Sequence, residues 1–361
     1  MYVKNIVVGA GYAGATLARR IAEEKGERVL VVEKHDHIAG HAYDHYDEHG
    51  ILVHKYGPHI FHTTDKAVWD FLSRFTDWHL YQHRVLSYVD GMLVPMPISA
   101  ETVNKLYNLG LSAPQVETWL AEHAESLPEI RNSEDVVLSK AGRDIYEKFF
   151  KNYTFKQWDL YPSQLSPDVI KRIPVRANRD TRYFTDRYQG LPRRGYTEMF
   201  RNLLDHPLIS VMLHTDWFAV RGELRWDRLY FTGPVDRFFD FSEGHIRYRS
   251  VRFEYETVFG REFVQDVGTV NYPNDYDFTR VTEYKHLTGQ KALDRTTIAR
   301  EYSSAEGEPF YIVPDEANLA LAKVYAAKAA AEPNTLFLGR LAESRYYNMD
   351  QVVARVLGLS L

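Results

Sequence analysis

The chain contains no cysteine. That removes disulfides, thiolate nucleophiles and cysteine-ligated metals, and it fits a reducing compartment. Long apolar runs are missing too, with nothing near the ~20 residues needed to cross a bilayer. The apolar N-terminal stretch is interrupted by Lys4 and by glycines, which reads as a strand and not a secretion signal. Excess charge of one sign is scarce, the formal net charge being −5, so nucleic acid is not an expected partner. There is no internal repeat and no low-complexity linker. Together these absences predict a cytoplasmic protein without membrane insertion. What the chain has in quantity is aromatic: 25 Tyr, 19 Phe and 6 Trp, concentrated in the middle. Such numbers serve a large core or a stacking site. With 361 residues, two or three domains are expected.

The first forty residues organise the rest. Ile6-Val7-Val8 reads as a buried strand running into Gly9-Ala10-Gly11-Tyr12-Ala13-Gly14. Ala13, Leu17, Ala18, Ile21 and Ala22 then recur at helical spacing. Arg28-Val29-Leu30-Val31-Val32 is the next strand, and Glu33 ends it. In such a unit Gly9 permits the tight turn, Gly11 the approach of a diphosphate, and Gly14 close helix–strand packing. The helix N-terminus offers unpaired N–H groups to phosphate, and the acid accepts hydrogen bonds from a ribose. A dinucleotide-binding, Rossmann-like unit follows.

Further along, Ile51 to His62 reads as one strand ending in a rigid turn, and 65–76 as a helix. His59 and His62 could suggest a metal pair, but no third ligand has suitable spacing, so no metal is expected. Val85 to Pro97 reads as strand around Asp90-Gly91, and 100–155 as helical with a capping box at Ser112. The aromatics of 149–158 exceed what one helix face can bury. The basic run Ile170-Lys171-Arg172-Ile173-Pro174-Val175-Arg176 is either solvated surface or a phosphate site. Gly195-Tyr196 opens a helix; 209–213, 229–234 and 335–340 read as strands of the first sheet. Residues 245–303 predict an antiparallel sheet. Asp315 caps an alanine-rich helix, and Asn348-Met349-Asp350 opens the last one.

Several of these stretches together resemble the bacterial UDP-galactopyranose mutases nearly end to end. The carriers are the Gly9–Gly14 turn, His54-Lys55-Tyr56-Gly57-Pro58-His59-Ile60-Phe61-His62-Thr63, Tyr153-Thr154-Phe155-Lys156-Gln157-Trp158 and the run at 170–176. With them go Tyr183 to Gly190, Tyr230-Phe231-Thr232-Gly233-Pro234, Thr279-Arg280, Glu308-Pro309-Phe310-Tyr311 and Arg340-Leu341-Ala342-Glu343. The resemblance implies an α/β fold in which a Rossmann-like FAD-binding domain (1–80, 195–240, 310–361) is interleaved with two others. These are a small helical domain (98–165) and an antiparallel β-sheet domain (81–97, 166–194, 241–309) with a mobile lid near 166–178.

It also implies FAD, active when reduced, held by Gly9, Gly11, Gly14, Glu33, Lys34, Gly40, Tyr43, Phe218, Gly233, Gly339, Arg340 and Met349. The UDP-sugar substrate would meet Phe149, Phe150, Tyr153, Trp158 and Asn271 at its uridine. Arg172 and Arg280 would grip the diphosphate, with Tyr183, Arg249, Tyr311 and Tyr346 close by. His62 would face the flavin, and the assembly implied is a homodimer. The implied isomerisation begins with attack of reduced flavin N5 on the anomeric carbon as UDP departs. Iminium ring opening and reclosure then interconvert UDP-galactopyranose and UDP-galactofuranose.

The chain departs from the family pattern at Pro58, His83, Ala39-Gly40-His41, Leu338 and Asn348, all near flavin or sugar. Those departures leave UDP-N-acetylgalactopyranose or a deoxyhexose nucleotide as alternative substrates. An amine-oxidase-like flavin oxidoreductase is the alternative of another reaction class.

Overall fold

The computed structural model describes residues 2–361. Five short strands form a wholly parallel sheet in the order Ile209–Met212, Val29–Val32, Asn5–Val8, Arg228–Phe231, Thr335–Phe337. All four residues of Val29–Val32 are buried, as expected of a parallel strand covered on both faces. The helix Tyr12–Arg20 continues into a wider π turn, Ile21–Lys25. Against it lies the last helix, Met349–Leu357, with Val353 and Val356 in the same core as Leu17 and Ile21. Arg20 Nη1 donates to the carbonyls of Val356 (2.5 Å) and Leu359 (3.1 Å). It thereby satisfies C-terminal carbonyls that a helix leaves open, and the two ends of the chain meet beside one sheet.

A second sheet has seven strands, ordered Tyr311–Ile312, Tyr248–Phe259, Arg295–Ser304, Arg280–Glu283, Thr269–Asn271, Val85–Val89, Met92–Met96. Its pairings are antiparallel except that Thr269–Asn271 runs parallel to Val85–Val89. Asp90 and Gly91 both have positive φ, the geometry a two-residue type I′ hairpin requires. The helices Ala100–Leu106, Ala113–His123 and Ser133–Ile145 pack on this hairpin. Val103, Val116, Leu120, Val137, Ala141 and Ile145 share one apolar cluster with Val85, Val89 and Val94. The capping boxes at Ser112 and Asn348 and the cap at Asp315 are all formed.

One sequence expectation is corrected. The stretch Ile51 to His62 is two strands, not one: Leu52–His54 pairs with Asp44–Tyr46, and Phe61–Thr63 pairs with Tyr188–Pro192. Gly57, at φ +88°, turns the chain between them, followed by Pro58. The apolar residues on the two sides, Ile51-Leu52-Val53 and Ile60-Phe61, read as a single strand-like stretch, and the pairing of each half with a different partner carries no local signal.

Candidate active site

A cavity of about 670 Å³ opens at the C-terminal ends of three parallel strands, where Val8, Val32 and Phe231 lie in its wall. Open α/β sheets bind ligands at such edges. Gly9 and Gly11 form part of the wall, with Glu33, Lys34, Gly40, Phe218, Gly233, Gly339, Arg340 and Met349. Gly9 has φ +104°, and a Cβ there would lie 2.1 Å from Thr232 Oγ1. Gly14 lies outside the wall; a Cβ on it would sit 1.9 Å from the carbonyl oxygen of Gly9. No side chain caps the helix that starts at Tyr12, so its N-terminal N–H groups are free for an anion.

At one end of the cavity, charged side chains lock together. Glu33 Oε2 accepts from the Ala10 N–H at 2.8 Å, and Oε1 accepts from the His35 N–H at 3.0 Å. His35 lies between two carboxylates, Nδ1 being 2.8 Å from Glu33 Oε1 and Nε2 3.0 Å from Glu308 Oε1. Burial opposes charge on His35, but the two acids outweigh it and raise its pKa to about 9. Burial also disfavours ionised Glu308, yet His35, His41 and Lys34 hold it well below the usual carboxylate range. Lys34 Nζ is 3.0 Å from Glu308. His41 stacks flat on Phe310, with centroids 4.3 Å apart.

From Phe310 the chain passes to Tyr311 and a second cluster. Tyr311 stacks on Tyr346 at 5.7 Å. The Arg340 guanidinium lies 4.9 Å from the Tyr311 ring and 5.2 Å from that of Tyr346, and Arg172 lies 4.4 Å over Tyr346. Burial would raise the Tyr346 hydroxyl pKa, but the charges of Arg172, Arg340 and Arg280 bring it below the ordinary tyrosine value. Tyr346 is 39% exposed, so solvent tempers that field. Arg280 Nε donates to Glu301 Oε2 at 2.7 Å. Asn271 is its register partner on the neighbouring strand. Three guanidiniums from distant parts of the chain thus converge on one pair of tyrosines, with a single buried acid, Glu301, bound to one of them.

The remaining expected residues fall on either side of this line. Trp158 lines the cavity, lies 6.3 Å from Tyr311 edge-on, and leaves its buried indole N–H without a partner. Arg249 also lines it, held by Ser303 Oγ and the Gln157 carbonyl, and makes no ion pair among the described residues. Tyr153 is affected by the charges of both Arg280 and Arg172, although burial dominates and raises its pKa. Tyr183 packs edge-on against Phe184 and lies 5.7 Å from His83. His62 stacks on Phe184 at 3.6 Å and its Nδ1 is 2.9 Å from Asp186 Oδ2. Two groups stand apart. Phe149 and Phe150, on the π turn Tyr146–Lys151, are buried in the helical core. Tyr43 is outside the cavity wall and stacks on His37 at 3.9 Å.

His35, Glu301 and Asp186 carry much of the geometry without having been expected as site residues, and His41 was marked only as a departure from the family pattern. Little in their spacing marks them, because Glu308 for His35 and His41, Arg280 for Glu301 and His62 for Asp186 each come from another segment. Among the described residues no three His, Asp or Glu side chains are placed to hold a metal ion.

Comparison with known proteins shows the family. The family model for UDP-galactopyranose mutase matches residues 148–346, and an NAD(P)-binding Rossmann-like domain model matches 7–75. A probable UDP-galactopyranose mutase of Klebsiella pneumoniae is 36% identical over 98% of this chain and 93% of its own. A dTDP-fucopyranose mutase of Escherichia coli is 33% identical over 98% and 96%. Among solved structures, a reduced UDP-galactopyranose mutase superposes with a TM-score of 0.80 at 18% identity, over 99% of this chain and 93% of the other.

Proposed function

The chain belongs to the UDP-galactopyranose mutase family, an isomerase family, and from that premise we propose FAD as its cofactor and a UDP-hexose as its substrate. The reading is that it interconverts UDP-galactopyranose and UDP-galactofuranose. The observation that carries it is the convergence of Arg172, Arg280 and Arg340 on Tyr311 and Tyr346, next to a dinucleotide-type cavity. The cavity fits a flavin dinucleotide: its wall holds the glycine turn and Glu33, and the buried Tyr248 hydroxyl and Arg340 Nε in it lack protein partners.

A reduced flavin held by Gly9, Gly11, Glu33, Arg340 and Met349 would supply the electron pair for displacement of the diphosphate at the anomeric carbon. The protein's own share is binding and charge stabilisation. Guanidinium groups bind phosphate oxygens bidentately, so Arg172 and Arg280 hold the diphosphate and stabilise the charge it gains on leaving. Arg172 follows a four-residue helix, Asp168–Lys171, on the segment 166–178 that serves as lid. Closing that lid excludes water from an electron-poor sugar. Trp158 stacks on the uracil. The helix Met349–Leu357 begins in the cavity wall, and its N-terminal dipole favours the anionic reduced flavin. His62, oriented by Asp186, faces the sugar. The unit works as a homodimer of cytoplasmic protein.

The experiment is to reduce the purified protein with dithionite, add nucleotide pyranoses and furanoses in parallel, and separate the products chromatographically. Interconversion of the UDP-galactose pair is expected. Turnover of only a dTDP-deoxyhexose pair would move the substrate toward that of the Escherichia coli relative. Oxygen consumption driven by an amine, without isomerisation, would overturn the mutase reading.

A further inference from the structure

Glu308 gathers charged or hydrogen-bonding groups from one loop. Lys34 Nζ and His35 Nε2 are each 3.0 Å from its Oε1, and His41 Nε2 is 3.7 Å away. All four line the cavity, as does Glu33. Glu308 and the loop belong to different parts of the chain. Glu308 precedes the strand Tyr311–Ile312 of the second sheet, whereas Lys34 and His35 follow the strand Val29–Val32 of the first. His35 is the bridge between the sheets, because its other nitrogen meets Glu33.

We propose that Glu33, His35 and Glu308 form an ionic latch across the cavity, in which protonated His35 is the positioning residue that fixes the adenosine end of the dinucleotide cofactor. The inference rests on the dinucleotide reading above. Glu33 is the acid placed for the ribose, and its Oε1 is taken by His35 while Oε2 receives only the Ala10 N–H. Oε2 therefore keeps a lone pair for a ribose hydroxyl. Nε2 hydrogen-bonds Glu308, whereas Nδ1 lies 2.8 Å from Glu33 Oε1 without hydrogen-bond geometry, so the contact with Glu33 is ionic and needs a charged ring. Deprotonation would leave one of the two carboxylates facing a bare ring nitrogen.

The other titratable groups around His35 do not replace that charge. His37 stacks on it at 4.9 Å, but burial lowers its pKa, and burial lowers that of His41 as well. Tyr56, 6.2 Å away, has its pKa raised by burial and so stays neutral. Lys34 reaches Glu308 but not Glu33. Lys55, Asp36 and Arg340 act on His37, Tyr56 and His41 rather than on His35 directly. The sign is fixed by the raised pKa: the latch is closed below pH 9 and opens as pH rises through about 9.

The test is the flavin dissociation constant from pH 7 to 9.5, read by fluorescence on apoprotein titrated with FAD. Wild type is expected to hold flavin steadily and then weaken toward the upper end. His35→Gln should bind about tenfold more weakly at pH 7, equivalent to ~1.4 kcal/mol, and show no such step. His35→Arg, a permanent cation, should restore affinity and also lack the step. Glu308→Gln should move the step to lower pH, because one of the two acids holding the proton is gone. Thermal unfolding of each apoprotein checks that the fold persists. Equal affinity in wild type and His35→Gln, or the same pH profile in wild type and His35→Arg, would overturn the latch. Failure of every form, wild type included, to bind FAD would instead overturn the dinucleotide reading.

Discussion

The glycine-turn wall and the arginine cluster bind by opposite means. The first is backbone and comes from one contiguous stretch: Gly9, Gly11 and the open end of the helix at Tyr12 offer N–H groups and close approach. The second is side chain, assembled from Arg172 after a short helix, Arg280 on a sheet strand and Arg340 beyond the last parallel strand. The wall depends on what no residue may add there. The cluster depends on charges that no single segment could bring together. Cofactor retention and turnover should therefore separate under mutation.

Gly14→Val should have the largest effect. Its Cβ would overlap the Gly9 carbonyl at 1.9 Å; overpacking costs ~1–3 kcal/mol and occasionally more, and a clash with backbone leaves no flexible side chain to yield. The protein is expected to purify colourless, with a lowered unfolding midpoint; flavin content near one per chain would show that the turn tolerates bulk. Next is Arg280→Ala, expected to keep flavin and lose ~10²–10³-fold in kcat, the range seen when one charge-stabilising donor is removed. Because Glu301 would then be buried and unpaired, the companion Arg280→Ala/Glu301→Gln distinguishes lost chemistry from lost stability. Arg172→Ala should behave alike, and flavin loss in either variant would break the separation of the two regions.

Trp158→Ala should raise KM roughly tenfold, since a base stacked on an aromatic side chain is worth ~1–3 kcal/mol. A change in kcat alone would place the indole elsewhere than against the nucleobase. The remaining effect is on stability in acid and leaves the neutral-pH comparison untouched. Burial lowers the pKa of both His54 and His83 to about 3, so both stay neutral in the fold and take up protons when it opens below their ordinary value of 6.5. Stability should fall as pH drops from 6.5 toward 3, by at most ~1.4 kcal/mol per pH unit for each. His83→Asn should flatten the urea-midpoint profile by about one proton; an unchanged slope would mean that His83 does not titrate on unfolding. Since His83 lies in the field of Arg280, this also tests whether acid loosens the arginine side before the glycine side.

All five strands of the parallel sheet were legible in the sequence as short runs bounded by turn residues, although the outer ones, Ile209–Met212 and Thr335–Phe337, are only partly covered. So were the caps at Ser112, Asp315 and Asn348, whose partners lie within three residues. That Gly57 turns the chain between two separately paired strands was not, since each strand's partner lies far away in sequence, nor was the parallel join of Val85–Val89 to Thr269–Asn271. Of the site, the glycines and Glu33 could be read from local chemistry, whereas the arginines could be grouped only through the family resemblance. The Glu33–His35–Glu308 bridge escaped both routes, because its 273-residue reach from His35 to Glu308 leaves no periodicity to detect.

By itself, the sequence determined what depends on neighbours a few residues apart: the dinucleotide turn, the buried strands, the helix caps and the exclusion of thiol chemistry. Tertiary structure alone decided which charges face one another. Electrostatic partners are chosen by distance in space, and the path of the chain between them imposes no spacing that a reader of the sequence could recognise.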